Sequence, residues 1–213
     1  DLIWVQSATV VADPPEKAMA GGRDKWLSRH IVTLIGSARK DLYLCSPYFI
    51  PGQEGMALLG KVSSLGVKIR VLTNSLAATD VMIVHSAYAK YRSKILRTGI
   101  ALFEQKPSIG RRRLSLFGSR TASLHTKAIV VDRAEGFVGS FNLDPRSASI
   151  NTEMGILFRS GPLAASIASI LEDQMNTSYE VGERNGRLVW RDANQTGNAE
   201  RAAEPDASIS RRW

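Results

Sequence analysis

Short apolar runs rich in β-branched residues alternate along the first half of the chain with longer segments whose apolar residues recur at helical spacing. The runs predict strands over residues 8–12, 41–46, 67–73 and 100–104, and the longer segments predict helices over residues 24–39, 53–65 and 81–97. Gly66 and Gly99 follow two of these helices, where a C-cap glycine is favoured. Strands joined through helices indicate parallel pairing in a sheet that helices cover on both faces.

The second half of the chain has shorter connections. Strands are predicted over residues 124–132, 136–142 and 153–159, and the polar turns between them favour antiparallel pairing. A helix is predicted over residues 163–175, and residues 178–181 and 187–190 are typical of a hairpin. The whole pattern predicts an α/β fold with a mixed, mostly parallel sheet flanked by helices on both faces. Residues 1–190 are predicted to form this unit, and residues 191–213 a polar tail or an ordered arm.

Charge and cysteine content narrow the possible partners. The 213 residues include 28 Lys and Arg against 20 Asp and Glu, and the net charge of +8 favours anionic partners such as lipid headgroups or nucleic acid. The one cysteine, Cys45, excludes a disulfide within the chain and zinc sites built from two or four thiolates, and it is typical of a reducing compartment. No apolar run is long enough to cross a bilayer. The first residues contain neither an initiator Met nor a signal-peptide pattern, which is typical of a piece of a longer protein.

Five polar residues form the strongest chemical signal: His125, Lys127, Asp132, Ser140 and Asn142. On extended strands His125 and Lys127 share one face, and Ser140 and Asn142 obey the same parity on the next strand. An imidazole, an ammonium and neutral donors suit a phosphodiester, whose oxygens gain charge as a pentacoordinate transition state forms. Asp132 has the opposite parity, so we expect it to organise the strand end. Each residue alone is more often structural, and the prediction depends on their combination.

The pattern H-x-K-x4-D-x6-G-S-x-N, which begins at His125 and includes Gly139, resembles the signature of the phospholipase D superfamily. The segments SPYFIPG at 46–52, TNSLAATD at 73–80, GSFNLDPRS at 139–147 and NTEMG at 151–155 are similar to the bacterial cardiolipin synthase branch. Members of that branch carry two H-x-K-x4-D motifs, whereas neither His30 nor His85 has a Lys two residues later. The chain therefore resembles the carboxyl-terminal half of such an enzyme.

The resemblance implies a phosphatidyltransferase that works through a phosphohistidine intermediate and needs no metal or other cofactor. The site residues that it implies are catalytic His125, Lys127 and Glu153, phosphate-binding Lys127, Ser140 and Asn142, and structural Asp132 and Gly139. The resemblance gives Glu153 the role of the acidic partner that orients the imidazole and stabilises its charged form. The resemblance leaves open which of the two halves supplies the nucleophilic histidine.

The implied partners are an anionic phospholipid, phosphatidylglycerol, as substrate, and the amino-terminal half of the same polypeptide, which carries the other motif. The implied location is peripheral, at the cytoplasmic face of the bacterial inner membrane. Basic and apolar residues interleave over residues 106–120, which predicts either a solvated hairpin or a docking segment for an anionic membrane surface. Asn74, Ser75 and Asp80 follow a predicted strand, where they either belong to a substrate-binding loop or, in the case of Ser75 or Asp80, cap a helix.

Two other functions stay open from the sequence. A phosphodiesterase or nuclease of the same superfamily would complete its site by homodimerising, which suits the basic charge of the chain. A non-catalytic module would bind anionic phosphates through an unpaired half-site. The segments at 46–52 and 73–80 favour the lipid enzyme, and the chain alone is predicted to fold without being active.

Overall fold

The computed structural model describes residues 2–19, 26–107, 123–194 and 200–207. Its strands are β1 Ser7–Ala12, β2 Asp41–Cys45, β3 Lys68–Asn74, β4 Ala101–Gln105, β5 Ala128–Val131, β6 Glu135–Gly139, β7 Met154–Arg159, β8 Tyr179–Arg184 and β9 Arg187–Asp192. Its helices are α1 Leu27–Gly36, α2 Gly52–Ser64, α3 Met82–Ala89, α4 Arg92–Arg97, α5 Pro145–Ser149 and α6 Gly161–Asn176, with a 3-10 turn at Pro15–Met19. The described residues form one sheet in the order β1-β7-β6-β5-β2-β3-β4-β8-β9.

The sheet is mixed, as predicted, but the prediction that it is mostly parallel is wrong. Among the strands that the structure describes, only the β2–β3 and β3–β4 pairs are parallel, and helices lie between the two strands of each pair. The pairs β5–β6, β6–β7 and β8–β9 are antiparallel. Short turns join β5 to β6 and β8 to β9, and a longer connection that contains α5 joins β6 to β7. β1 pairs antiparallel with β7, and β8 pairs antiparallel with β4. In the middle of the sheet β5 pairs antiparallel with β2.

Helices cover both faces of the sheet, which confirms that part of the prediction. The alternation along β2 separates the two cores: Leu42 and Leu44 pack with the α1, α2 and α4 side, and Tyr43 and Cys45 pack with the α6 side. On α6 the buried residues recur at three- and four-residue intervals, at Ala164, Ala168, Leu171 and Met175. Both faces of the central strands β2, β3 and β5 are therefore largely buried.

Two helical features differ from the sequence pattern. The predicted helix over residues 81–97 is two helices, α3 and α4, because the Tyr91 backbone N–H donates to the Tyr88 carbonyl at 2.8 Å, a tight three-residue bond at the junction. Helix α5 was not predicted. Its Asp144 side chain accepts hydrogen bonds from the backbone N–H groups of Arg146 and Ser147 at 2.8 and 2.9 Å, so the Asp-Pro pair is an N-cap signal.

The described part of the carboxyl-terminal segment, residues 200–207, packs on the body as an arm. Arg201 and Trp190 exchange two backbone hydrogen bonds of 2.9 and 3.0 Å, and Ala207 is buried against Leu76 and Ala77. The predicted boundary at residue 190 therefore falls inside β9, which continues to Asp192.

Candidate active site

The motif residues meet at one edge of the sheet. The parallel strands β2 and β3 end at this edge, and β5, which is antiparallel to β2, begins there. β6 ends and β7 begins at the same edge for the same reason. His125 and Lys127 lie just before β5, Ser140 and Asn142 just after β6, and Glu153 just before β7. Strand direction thus brings together residues that are far apart in the sequence.

The predicted strands at 124–132 and 136–142 are longer than the strands that form. β5 begins at Ala128 and β6 ends at Gly139, so the four polar residues beside them lie outside regular strands. His125 and Thr126 are both exposed, whereas Lys127 is buried. The prediction that His125 and Lys127 share one face of a strand is therefore wrong. The polar side chains lie close together because the ends of β5, β6 and β7 meet at this edge of the sheet.

Lys127 is the buried cation of the site. It is 8% exposed, and its Nζ donates to the carbonyl oxygen of His125 at 2.8 Å. Burial lowers the pKa of Lys127, and nearby anionic groups, chiefly Glu153, partly offset this effect. Within the described residues Lys127 donates no hydrogen bond to a carboxylate. A buried ammonium without a bonded anion favours the binding of an anionic oxygen.

Glu153 is a buried carboxylate that several short side chains hold. Its Oε1 accepts hydrogen bonds from Ser147 Oγ at 2.7 Å and from Asn151 Nδ2 at 3.4 Å, and its Oε2 accepts one from Ser140 Oγ. In the part of the chain that the structure describes, no hydrogen bond joins Glu153 to His125. Its role as the acidic partner of the imidazole stays a prediction.

Ser140 and Asn142 differ in how free they are to bind phosphate. The Ser140 hydroxyl donates its one proton to Glu153 and accepts a hydrogen bond from the Met154 backbone N–H at 3.0 Å. To donate to a phosphate, this hydroxyl has to turn away from Glu153. The Oδ1 atom of Asn142 is buried and has no partner among the described residues. This oxygen only accepts hydrogen bonds, so it is the Nδ2 group of Asn142 that can donate to a phosphate oxygen.

Sequence patterns did not reveal a buried ion pair behind Glu153. Lys17 Nζ donates to Asp13 Oδ2 at 2.6 Å and to the Ser147 carbonyl at 2.7 Å, and the two charged side chains are fully buried. Asp13 Oδ2 also accepts a hydrogen bond from the Glu153 backbone N–H at 2.9 Å. The pair thus holds the Ser147 carbonyl and the backbone N–H of Glu153. Its one signal in the sequence, charges four residues apart, is shared with many surface pairs.

Asp132 lies at the opposite end of β5 from His125. Its carboxylate accepts hydrogen bonds of 2.7 to 3.1 Å from the backbone N–H groups of Arg39, Lys40 and Asp41. These bonds hold the turn that leads into β2. This arrangement fits the structural part expected of Asp132, away from substrate.

Gly139 lies where two strands approach closely. It pairs with Gly155 across β6 and β7, and the Phe137 ring lies beside both glycines. A Cβ atom at Gly139 would lie 2.6 Å from Cα of Gly155 on β7, so any side chain there would push the strands apart. Because Ser140 follows Gly139 directly, the glycine keeps Ser140 close to Glu153.

Asn74 and Ser75 are each 1% exposed, which argues against their predicted contact with substrate. Ser75 Oγ accepts a hydrogen bond from the Ala78 backbone N–H at 3.2 Å and so stabilises a turn. It does not cap α3, which begins after Val81 without a side-chain cap. Asn74 bonds to the segment before His125.

Most of the predicted basic and apolar segment lies outside the described residues. Its first residue, Lys106, forms an ion pair with Asp192. Across the described ranges, no helix combines the length and the apolar character that a membrane span requires.

Comparison with known proteins identifies the family of the chain. Residues 31–175 match the family model described as cardiolipin synthase, PLD-like domain. The chain is 36% identical to cardiolipin synthase C of Escherichia coli (strain K12), over 99% of this chain and 46% of the relative. It is 30% identical to cardiolipin synthase A of Pseudomonas aeruginosa (strain PAO1), over 85% of this chain and 33% of the relative. The chain thus spans less than half the length of these two relatives.

The fold agrees with that of solved relatives. Nuc of Salmonella typhimurium, a phospholipase D family member, matches with a TM-score of 0.59 at 19% identity, over 82% of this chain and 97% of that one. The family model covers more than half of this chain, and the sequence relatives carry the same family name. The chain belongs to the cardiolipin synthase branch of the phospholipase D-like family.

Proposed function

We propose that this chain supplies one of two catalytic half-sites of a phosphatidyltransferase of the cardiolipin synthase type. The observation that carries the proposal is the exposed His125 beside the buried Lys127, which has no carboxylate bonded to it in the described residues. Membership of the cardiolipin synthase branch supports the same reaction class.

The proposed reaction consists of two displacements at phosphorus. A histidine nitrogen attacks the phosphorus of the donor lipid, so that a P–N bond forms and the P–O bond to the leaving alcohol breaks. The histidine of the other half gives its proton to the leaving oxygen. The acceptor hydroxyl then loses its proton to that second histidine and attacks phosphorus, and the P–N bond breaks. His125 suits either role, because it is exposed at the sheet edge.

The remaining site residues stabilise charge in this proposal. Lys127 neutralises the oxygens of the pentacoordinate phosphorus, and Ser140 and Asn142 donate to them. Glu153 accepts the hydrogen bond of Ser140 in the resting state, and its negative charge has the proposed role of stabilising the imidazolium. None of these steps needs a metal or another cofactor.

Partners and location follow from the same proposal. The substrate is the anionic phospholipid phosphatidylglycerol, and the missing half-site comes from the amino-terminal half of the same polypeptide. The protein works peripherally at the cytoplasmic face of the bacterial inner membrane, where its net charge of +8 favours an anionic lipid surface.

A homodimeric phosphodiesterase or nuclease is the second candidate. Its support is that this chain matches Nuc over 97% of the length of that chain, so a single unit of this size also exists without a fused second half. The identity of 19% to Nuc, against 36% to cardiolipin synthase C, favours the lipid enzyme.

The test uses the full-length protein on vesicles that contain radiolabelled phosphatidylglycerol, with labelled single-stranded DNA as the alternative substrate. We expect transfer to a second phosphatidylglycerol, and after an alkaline quench a labelled protein whose label is lost in acid, as a phosphohistidine requires. Cleavage of DNA without lipid transfer would contradict the proposal. Turnover by this chain alone, rising with the square of its concentration, would show that two copies of His125 share one site.

A further inference from the structure

The segment that carries His125 is not held by the sheet. β5 begins at Ala128, so residues 123–127 have no regular strand pairing. Leu124 is nevertheless 4% exposed, and the backbone N–H and carbonyl groups of a buried residue need hydrogen-bond partners. The partner of these groups fixes where the exposed His125 lies.

Asn74 supplies that partner from the last position of β3. Its Oδ1 accepts a hydrogen bond from the Leu124 backbone N–H at 3.0 Å. Its Nδ2 donates to Ser123 Oγ at 3.0 Å and, over a longer 3.4 Å, to the Leu124 carbonyl oxygen. A side-chain amide has the same donor and acceptor as a peptide group, so Asn74 takes the place of a neighbouring strand.

The Asn74 side chain, which bonds to the Leu124 backbone, is itself fixed in place. Asn74 pairs with Gln105 in the parallel ladder of β3 and β4, and its side chain is 1% exposed. A buried side chain on a central strand has little freedom to move. The position of Leu124 is therefore tied to the centre of the sheet.

Side chains also hold the next two carbonyl groups. Lys127 Nζ donates to the His125 carbonyl at 2.8 Å, and Cys45 Sγ lies 3.6 Å from the Thr126 carbonyl. The Lys127 carbonyl accepts from the Gly139 N–H at 3.2 Å, and regular pairing with β6 starts at Ala128. The backbone on both sides of His125 is thus fixed, while its ring points to solvent.

We propose that Asn74 is a positioning residue that holds His125 at the reacting phosphorus by clamping Leu124. It does not contact substrate. The effect of Asn74 on turnover depends on the proposed function, whereas its effect on the Leu124 backbone does not.

The first experiment measures amide hydrogen exchange by NMR in this chain. The Leu124 amide of the unmodified protein should exchange slowly, like the amides of buried strands. In Asn74→Ala it should exchange at least about tenfold faster, while the amides of β2 and β3 keep their rates. In Asn74→Asp, which keeps the acceptor for Leu124 and loses the donor, this amide should stay protected.

The second experiment measures steady-state kinetics in the full-length protein. Asn74→Ala should lower kcat by about ten- to a hundredfold with little change in KM, because a shift of about 1 Å in a catalytic group costs up to that much. Thr73→Val is the matched control: Thr73 is equally buried on the same strand, but its hydroxyl bonds to the Pro47 carbonyl. It should keep the kcat and the Leu124 exchange rate of the unmodified protein.

The outcomes separate the two proposals. A Leu124 amide that exchanges rapidly in the unmodified protein would overturn the clamp without any variant having to fold. An Asn74→Ala enzyme with normal kcat would overturn the positioning role. If instead His125→Ala keeps full turnover, the proposed function is wrong, whatever the exchange data show.

Discussion

Two clusters of this molecule each combine a histidine, a cation and at least one carboxylate, and they differ in whether the cation is bonded to a carboxylate. The site cluster consists of His125, Lys127 and Glu153, and the edge cluster, between α3, α4, β4 and the arm, consists of His85, Arg92, Glu104 and Glu204. In the edge cluster Arg92 donates to Glu104 at 2.7 Å and to Glu204 at 2.6 Å, and its Nη2 lies 2.8 Å from Nε2 of His85.

The difference lies in what each charge is bonded to. Burial alone would lower the pKa of Arg92, but the charge of Glu104 raises it above its usual range. Tyr88 and Trp190 donate to the same Glu104 at 2.8 and 2.9 Å. In the site cluster Lys127 bonds to a neutral carbonyl, and the His125 ring has no hydrogen bond to any described residue. Removing one partner of a buried ion pair destabilises the fold, whereas a cation without a bonded anion is available to a substrate anion.

The largest expected effect separates the two histidines. His125→Ala should lower transfer by the full-length enzyme by about a thousandfold or more, because it removes a nucleophile or an acid–base group. His85→Ala should keep transfer within a few-fold and lower the free energy of unfolding by about 1–3 kcal/mol, since it leaves buried polar groups unpaired. Lipid-transfer assays and urea unfolding on both variants measure this. An equal loss of activity in His125→Ala and His85→Ala would contradict the assignment of catalysis to the site cluster alone.

The second prediction compares two buried lysines. Lys17→Met should lower the free energy of unfolding by about 3–5 kcal/mol, because Asp13 stays behind as an unpaired buried charge. Lys127→Met should change it by less than about 1 kcal/mol, with a stabilising sign at neutral pH. Burial lowers the pKa of Lys127, so its charged form is less favourable in the folded than in the unfolded chain.

The measurement for both lysine variants is urea unfolding at pH 7. Lys127→Met should also lose lipid transfer in the full-length enzyme. A destabilised Lys127→Met protein would mean that Lys127 is a structural cation like Lys17.

The third prediction concerns acid. Burial alone would raise the pKa of Glu204, but hydrogen bonds from His85 and Arg92 lower it from 4.5 to about 2. Its ionised form therefore stabilises the fold above pH 4.5, and this contribution is lost as the pH falls toward 2. The stability difference between the unmodified protein and Glu204→Gln should shrink by about 2 kcal/mol over that window. Urea unfolding at several pH values tests this, and a constant difference would contradict it.

The smallest effect is expected at the far end of β5. Asp132→Asn should lower the free energy of unfolding by about 1–2 kcal/mol, because an amide is a weaker acceptor for the three backbone N–H groups. Asn tolerates the positive φ of 52° at this position. Lipid transfer should stay nearly normal. Complete loss of transfer with unchanged stability would place Asp132 among the catalytic residues.

Local patterns predicted most elements of the fold and singled out candidate site residues that the structure brings together. Apolar periodicity found strands such as β2 and helices such as α6, and the fixed spacing of the motif found His125 and Lys127. Pairing direction was predicted less well, because a single sequence does not show that β5 inserts beside β2.

Contacts between distant parts of the chain were not predictable from one sequence. Asp13 bonds to Glu153 across 140 residues, and Arg92 bonds to Glu204 across 112 residues. Asn74 was recognised as a candidate site residue, but its orientation toward Leu124 depends on how the chain crosses the end of β3. These contacts are set by tertiary packing, and no local spacing encodes them.

The outer strands of the sheet affect how the chain can be shortened. A fragment limited to residues 31–175, the extent of the family match, would lack β1, β8 and β9. β7 and β4 would then become edge strands with unpaired backbone groups, and exposed edges of this kind pair with other chains. Such a fragment is expected to aggregate, although it would keep every residue of the H-x-K-x4-D motif.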